Sequence, residues 1–322
     1  MNYRKFGKTD LELSEIGYGA WGIGGAMWRG ATDKESLKAL NLAIDQGLNF
    51  IDTALAYGRG HSEQIVGQVV RQRKEEIFVA TKVPPKNQIW PARGPLEESF
   101  PYDYIINCAE QSLRNLDLDT IDLLQLHVWN PDWLNEEGWY EALSELRDQG
   151  KVRFFGVSVN DHQPESVVEL VKSGKISTIQ VIFNIFDQSP DDELFPLCLK
   201  EDVGVIVRVP FDEGSLTGNI TPETTFAKKD WRNHYFKDNR KEQVWERIKK
   251  LEPLLGDEVE TLPELALRYC LSPDAVTTVI PGMRSPRHVD SNCRVSGKPA
   301  LSAELLEQIK RHRWVRNFYP VV

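Results

Sequence analysis

The sequence predicts an α/β chain folded as a (β/α)8 barrel behind an N-terminal β-hairpin. Three observations carry this expectation. Eight short apolar runs rich in β-branched residues recur along the 322 residues, stretches of helical periodicity separate them, and polar side chains close the runs at their C-terminal ends. Near-continuous apolar strands alternating with helices imply parallel pairing buried on both faces. Alternation alone equally allows a doubly wound open sheet, but eight units close naturally into a barrel.

Residues 3–16 alternate around a Gly-Lys-Thr-Asp turn and read as the hairpin. The apolar runs are 15–18, 49–53, 77–83, 121–128, 154–159, 178–186, 204–211 and 277–281. Helical periodicity covers 33–46, 62–73, 102–116, 139–149, 165–172, 191–201 and 261–271. Asp33 is read as preceding its helix, Pro164 sits early in its own, and Gly47, Gly150 and Gly174 follow C-terminal ends. No Ser/Gly-rich linker or composition shift divides the chain, so residues 1–322 read as a single domain. Three segments, 84–101, 212–239 and 312–322, exceed ordinary connections, and long loops in compact folds are usually functional. The first two follow strand ends and would overhang the active face of a barrel.

With 41% hydrophobic residues the chain has material for a large core. A net charge of −9 and a pI near 5.3 argue against nucleic acid or an anionic membrane as the main partner. Cys108, Cys198, Cys270 and Cys293 lie far apart with no CxxC pair, and the first three fall inside apolar helical patterns. This usage points to a reducing compartment. The N-terminus has no apolar leader, and no run approaches the roughly 18 apolar residues of a membrane span. A cytoplasmic protein is expected, a monomer or a small homo-oligomer.

The chemistry lies in the residues that close the runs. They are Asp52, Lys82, His127, Ser158, Gln180, Arg208 and, beyond the eighth run, Arg284; Tyr57 follows Asp52 on a tight turn. Each has an ordinary role when taken singly, as turn former, solvated terminator or hydrogen-bonded core group. On consecutive strands of one barrel they would be several buried polar groups without purpose, each costing about 1–3 kcal/mol if unsatisfied. Barrel active sites are built from such strand ends. A tyrosine, with an unperturbed pKa near ~10, is a poor acid at neutral pH. A nearby ammonium favours the phenolate, so Lys82 is expected to lower the Tyr57 pKa while Asp52 neutralises and fixes the lysine. His127 is placed to donate a hydrogen bond to a carbonyl oxygen. Such a group suits reversible reduction of a ketone or aldehyde, protonating the developing alkoxide. No side chain supplies hydride, which implies a nicotinamide or a flavin.

These motifs resemble the aldo-keto reductase family. The resemblance runs from the hairpin through Asn292 and rests on GYGAWGIGG at 17–25, FIDTALAYG at 50–58, ATK at 80–82, LLQLH at 123–127, GVS at 156–158, IQVIFN at 179–184 and IPGMRSP at 280–286. It implies the barrel, an NADP(H) cofactor (NAD(H) as the variant) bound without a Rossmann domain, and the tetrad Asp52, Tyr57, Lys82 and His127 with Tyr57 as general acid. The segment from Gly17 to Gly22 also fits G-x-G-x-x-G, but no helix starts directly after it. It reads instead as a loop that brings the backbone of Gly19, Ala20 and Trp21 to cofactor or substrate.

The resemblance further implies Ser158 and Gln180 on the carboxamide and Arg208 beside the nicotinamide ring. The family often has Asn directly after the serine; here Val159 intervenes, and Asn160, facing the same way along a strand as 158, is the substitute. The pyrophosphate segment PFDEGSLTG contributes Pro210, Phe211, Gly214, Leu216 and Gly218, yet carries Asp212 and Glu213, which would repel a phosphate unless they point away. Arg284 is expected at the 2′-phosphate, where a guanidinium binds bidentately, and Gly282 is a further cofactor-binding residue. His288, Ser291 and Asn292 stand where the family offers Gln, Glu and Asn to the adenosine, so His288 and Asn292 complete the set.

Trp21, Trp28, Trp90 and Trp129 lie in or beside strand-end loops and, with Tyr57 and His127, are expected to line the pocket of a small carbonyl or alcohol substrate. Trp139 and Trp245 sit at helical spacing and read as core. Two other functions fit the same scaffold less well. A nicotinamide-binding regulatory or accessory subunit would not need the intact tetrad. A metal-dependent hydrolase would need a His/Asp/Glu cluster, whereas only Asp52 and His127 qualify and Lys82 stands between them.

Overall fold

The computed structural model describes residues 1–25 and 30–314. Strands β1 (Tyr3–Lys5) and β2 (Glu12–Ser14) pair antiparallel with Tyr3 opposite Ser14, forming the expected hairpin. Eight strands follow: β3 (Tyr18–Gly19), β4 (Phe50–Asp52), β5 (Phe78–Val83), β6 (Ile121–Leu126), β7 (Val152–Ser158), β8 (Thr178–Ile182), β9 (Gly204–Arg208) and β10 (Val276–Val279). Each pairs parallel with its neighbours in chain order. The ends meet through parallel bridges, Ile16 with Val279 and Gly19 with Gly282. Gly17 N–H donates to the Val279 carbonyl at 2.8 Å and Val279 N–H to that of Glu15 at 3.0 Å. The sheet is a closed (β/α)8 barrel with helices packed outside it.

The strands alternate strictly between the barrel interior and the helix layer, as a period of two requires. Ile51, Val79, Leu124, Phe155, Val157, Ile179, Val205 and Val207 point outward into the main core. Phe50, Phe78, Ala80, Leu123 and Ile206 point inward, where they pack with Phe6, Leu11 and Leu13 of the hairpin. Phe6 is fully buried and closes the N-terminal end of the barrel; a Cβ at Gly204 would lie 2.4 Å from its ring. The same inward frame, continued towards the C-terminal ends, contains Asp52, Lys82, Gln125, Ser158, Gln180 and Arg208. The hairpin thus seals one end with apolar side chains and leaves polar ones to the other.

Some boundaries differ from those expected, for local reasons. The run 178–186 leaves the sheet after Ile182 because Asn184 Oδ1 accepts the backbone N–H groups of Phe186 and Asp187, at 2.9 and 3.0 Å, in a side-chain-made turn. The run 204–211 ends at Arg208 because Val209 adopts φ +55°. Thr32, not Asp33, caps the first helix, Asp33–Asp45: its Oγ1 accepts Glu35 N–H at 3.3 Å and donates to the Glu35 carboxylate at 3.0 Å. The helix Arg240–Leu251 has only a narrow buried stripe, Val244, Ile248 and Leu251, in a mostly charged sequence. Trp245 on it is half-buried under Lys249 Nζ, 4.4 Å from the ring, and is not core; Trp139 is. All four cysteines are free and buried. No described helix is long and apolar enough to cross a membrane.

Phe6→Ala empties a cavity that neither hairpin nor sheet can collapse into. It is expected to cost about 3–5 kcal/mol, read as a lowered urea midpoint with the cooperativity unchanged.

Candidate active site

Lys82 is fully buried at the end of β5, and its ammonium meets three acceptors. Nζ donates to Asp52 Oδ1 at 2.6 Å, to the Thr53 carbonyl at 2.8 Å and to the Tyr57 hydroxyl oxygen at 3.5 Å. Asp52 Oδ2 accepts from Gln180 Nε2 at 2.7 Å and from Gln125 Nε2 at 3.5 Å. Tyr57 reaches the lysine because the chain turns sharply after β4: Thr53 N–H bonds the Ala80 carbonyl at 2.8 Å, and Tyr57 N–H bonds that of Ala54 at 2.9 Å. His127 N–H bonds the Val83 carbonyl at 3.0 Å, which extends the inward frame of β6 by two residues. Its ring stands edge-on to Tyr57, centroids 5.9 Å apart.

The electrostatics differ in one respect from the sequence reading. Burial is the largest influence on Tyr57 and, with the charge of Asp52, pushes the phenol above its ordinary value, while Arg208 opposes. The expected lowering by Lys82 is not found, because Asp52 already neutralises the ammonium at 2.6 Å. Burial also lowers the Lys82 pKa, against the charge and hydrogen bond of Asp52. Burial, then Lys82 and Arg208, hold His127 well below the usual imidazole range. The site at neutral pH is therefore a protonated phenol and a neutral imidazole beside a paired ammonium.

Trp90 stands perpendicular to His127 with centroids 4.8 Å apart, and Trp21 lies 6.4 Å from Tyr57. Trp21 and His127 thus flank the Tyr57 ring, and Trp90, 46% exposed, covers His127 at the rim. Trp129 does not join them. It is fully buried against Trp133 and Trp139 in the helix layer, because Val128 and Trp129 turn away after His127. Trp28 lies outside the described residues.

Ser158 ends β7 opposite Gln180 on β8, so the two share one level of the barrel. Gln180 gives its Nε2 to Asp52, which leaves its oxygen for a ligand. Asn160 does not replace the missing family asparagine. It donates to the Trp129 carbonyl at 2.8 Å and Gln163 Oε1 at 3.1 Å, and accepts from the N–H groups of Ala92 and Trp129 at 3.4 Å. Its hydrogen-bonding capacity is used in tying the loop after β5 to the loop after β6. Arg208 Nη2 donates to the Val159 carbonyl at 2.8 Å and to Asp161 Oδ1 at 2.5 Å, which fixes the guanidinium beside Tyr57 and His127.

Pro210 and Leu216 are buried and Phe211 half-buried, while Gly214 and Gly282 face open space where an added Cβ would touch nothing. Gly218, at φ +75°, closes the turn. Asp212 points inward, accepting the Tyr235 hydroxyl at 2.7 Å, and so is turned away from a ligand on the loop. The half-buried Arg284 packs over the backbone of Gly22, where a Cβ would lie 2.7 Å from its Cδ. Burial and the charge of Arg232 lower its pKa; burial, Arg284 and Arg287 lower that of His288. Arg284, near Arg232 and Arg287 and partly offset by Asp230, lies beside open backbone that suits an anionic ligand. Asn292 is buried below them, and Ala20 is pinned by N–H to the Asp52 carbonyl at 2.9 Å.

Sequence reasoning missed Gln125, Asp161 and the Asp230–Arg232 pair (2.9 Å) near Arg284. Gln125 was legible: it shares the inward frame of His127, two residues on. Asp161 and Arg232 sit in irregular loops, where no periodicity marks which side chain turns in. Among the described residues no three His, Cys, Asp or Glu side chains come together as metal ligands would.

A buried acid, lysine and phenol at the mouth of a parallel barrel suit the chemistry of an oxidoreductase. The Aldo/keto reductase family model matches residues 15–313, and the chain belongs to that family. It is 30% identical over 305 residues to the aldo-keto reductase YhdN of Bacillus subtilis (strain 168), covering 92% of this chain and 89% of that one. It is 31% identical over 307 residues to the NADH-specific methylglyoxal reductase of Escherichia coli (strain K12), covering 89% and 90%. An aldo-keto reductase from Bacillus halodurans aligns over 98% of this chain and 97% of its own at 29% identity, with a TM-score of 0.78 in its holo form and 0.73 in its apo form.

Two histidines are expected to titrate in opposite directions. Burial alone would lower His162, but Asp187, at 2.5 Å, with Asp161 and Asp212, raises it instead. In a proton NMR titration His162 should keep its proton above pH ~6.5 and His127 should stay neutral well below it. His127, depressed in the folded state, contributes stability that is present above ~6.5 and lost as pH falls. His162, raised, contributes fully below ~6.5 and loses its contribution as pH rises through the folded value. His127→Gln should therefore reduce the loss of stability between pH 7 and pH 5, by at most about 1.4 kcal/mol per pH unit. The reverse order of titration would refute the assignment.

Proposed function

We propose that this chain reduces aldehydes or ketones reversibly to alcohols with a nicotinamide cofactor, NADP(H) in preference to NAD(H), and with Tyr57 as general acid. One observation carries the reading: a fully buried lysine joins Asp52 to the hydroxyl of Tyr57 under a neutral imidazole. The family is that of aldo-keto reductases, which supports a nicotinamide cofactor.

Ser158 and the oxygen of Gln180 would hold the carboxamide, with Arg208 beside the ring. Gly214, Leu216 and Gly218 would present backbone to the pyrophosphate, and Gly282, Arg284, His288 and Asn292 would take the adenosine end. When bound, a nicotinamide would supply the hydride for the carbonyl carbon. The chain's own residues handle the oxygen. His127, uncharged, orients the carbonyl by a hydrogen bond without competing for its proton. Tyr57, held protonated by burial and Asp52, gives its proton to the oxygen as negative charge grows there. Lys82 stabilises the phenolate left behind, and Asp52, held by Gln180, keeps Lys82 charged. Trp21 and Trp90 would exclude water and suit an apolar or aromatic carbonyl. The whole chain would serve as one catalytic barrel in the cytoplasm, monomeric or as a small homo-oligomer.

The phosphate preference rests on Arg284 and its cationic neighbours, and a relative of similar identity is NADH-specific by name. Titrating native tryptophan fluorescence with NADPH and NADH tests it. Arg284→Ala should weaken NADPH binding about tenfold, the size of one lost charge-assisted contact, and leave NADH within about twofold. Equal weakening of both would remove the 2′-phosphate role. Tyr57→Phe should abolish NADPH oxidation with an aromatic aldehyde and keep cofactor affinity; parental turnover in that variant would refute the assigned acid.

A further inference from the structure

Beneath the strand ends, the inward frame holds a polar layer that the reaction outlined above does not use. Gln125 on β6 is fully buried and stands in register with Lys82 on β5 and Gly156 on β7. Gly156 is in register with Thr178 on β8, whose hydroxyl takes the place of a side chain at 156: a Cβ there would lie 2.2 Å from Thr178 Oγ1. Gln125 Nε2 points at Asp52 Oδ2 from 3.5 Å, the outer limit of a hydrogen bond. Its Oε1 is buried with no partner among the described residues, as is Thr178 Oγ1. A buried amide with one end unsatisfied is destabilising relative to an apolar group of its shape. Its other end is directed at the carboxylate on which the lysine depends.

Gln180 shares that carboxylate oxygen, at 2.7 Å. It also stands level with Ser158 at the mouth, where its oxygen would take a bound carboxamide, so Gln180 serves both the ligand and Asp52. Gln125, at 0% exposure, is beyond any ligand and is the second donor aimed at Oδ2. We propose that Gln125 is a positioning residue that holds the Asp52 carboxylate so that Oδ1 stays on Lys82 and the ammonium stays charged beneath Tyr57. This rests on the reading of Tyr57 as general acid.

Gln125→Met keeps the length of the side chain without its amide, and Gln125→Leu is the second variant. Both are compared with the parent and Tyr57→Phe for melting temperature, NADPH binding by tryptophan fluorescence, and kcat across pH. The expected result is a melting temperature at or above the parent's, NADPH affinity within about twofold, and kcat lower by about tenfold, the scale of one hydrogen bond to a charged group. The basic limb of the kcat profile should move to lower pH, because Lys82, already lowered by burial, loses its proton sooner when Asp52 swings away. A merely structural role would instead lower melting temperature and binding while leaving the profile in place. Parental kcat and pH profile in both variants overturns the inference, as does a loss of kcat that only tracks melting temperature or binding. A parent without turnover, or an active Tyr57→Phe, overturns the general-acid reading and this inference together. An active parent, an inactive Tyr57→Phe and unaltered Gln125 variants overturn this inference alone.

Discussion

The site depends on one interaction, the ion pair of Lys82 and Asp52 inside the barrel. Removing an ammonium from water costs several kcal/mol even after relaxation, and the attraction of its partner offsets this only if every proton finds an acceptor. Lysine has three such protons. The barrel supplies three acceptors: the Asp52 carboxylate, the Thr53 carbonyl and the Tyr57 hydroxyl. Two come from the end of one strand and the third from the turn that follows it. The positions of β4, β5 and that turn are thus coupled, and the third acceptor is the phenol that would do the chemistry.

The pair also explains why the phenol is raised rather than lowered. An ammonium acts strongly on a neighbour only when its charge is uncompensated, and Asp52 lies nearer to Lys82 than Tyr57 does. What then reaches Tyr57 is burial and the charge of Asp52, opposed by Arg208, with Glu213 and Asp161 adding less. A phenol held protonated suits donation to an alkoxide. In the proposed reaction the reverse step would need the phenolate, so this environment would favour reduction over oxidation at neutral pH.

Much of this was legible because a strand has a period of two. Once Phe50, Phe78 and Leu123 are inward, Asp52, Lys82 and Gln125 must be as well, and the eightfold alternation closes the ring. Legibility fails where the chain leaves that period. Asn160 lies two residues past Ser158, yet β7 ends at Ser158, and its amide turns to the loops instead. Trp90 and Trp129 look alike in sequence, both beside strand ends, but one is at the rim and the other among Trp133 and Trp139. The helix Arg240–Leu251 hides because its buried stripe is three residues wide in a charged segment.

The loop after β9 shows how a local misfit with sequence rules is made stable. Val209, Asp212 and Glu213 all adopt left-handed backbone, at φ +55°, +48° and +54°. Such residues cost of order 1–3 kcal/mol each unless their surroundings over-determine them. Here the surroundings do so: Asn184 Nδ2 holds the Val209 carbonyl at 3.0 Å, and the Tyr235 hydroxyl holds Asp212 at 2.7 Å. The carboxylate that reads in sequence as an obstacle to phosphate is therefore an anchor, turned into the protein to fix a turn that no glycine at 209 or 212 relieves. The cost of the left-handed turn is offset by the turn after β8 and by the segment carrying Tyr235, so the shape of the mouth is set by elements behind it. Asp212 and the buried ion pair then follow one rule: a buried ionisable side chain is tolerated where its hydrogen bonds fix backbone that an ordinary turn would leave elsewhere.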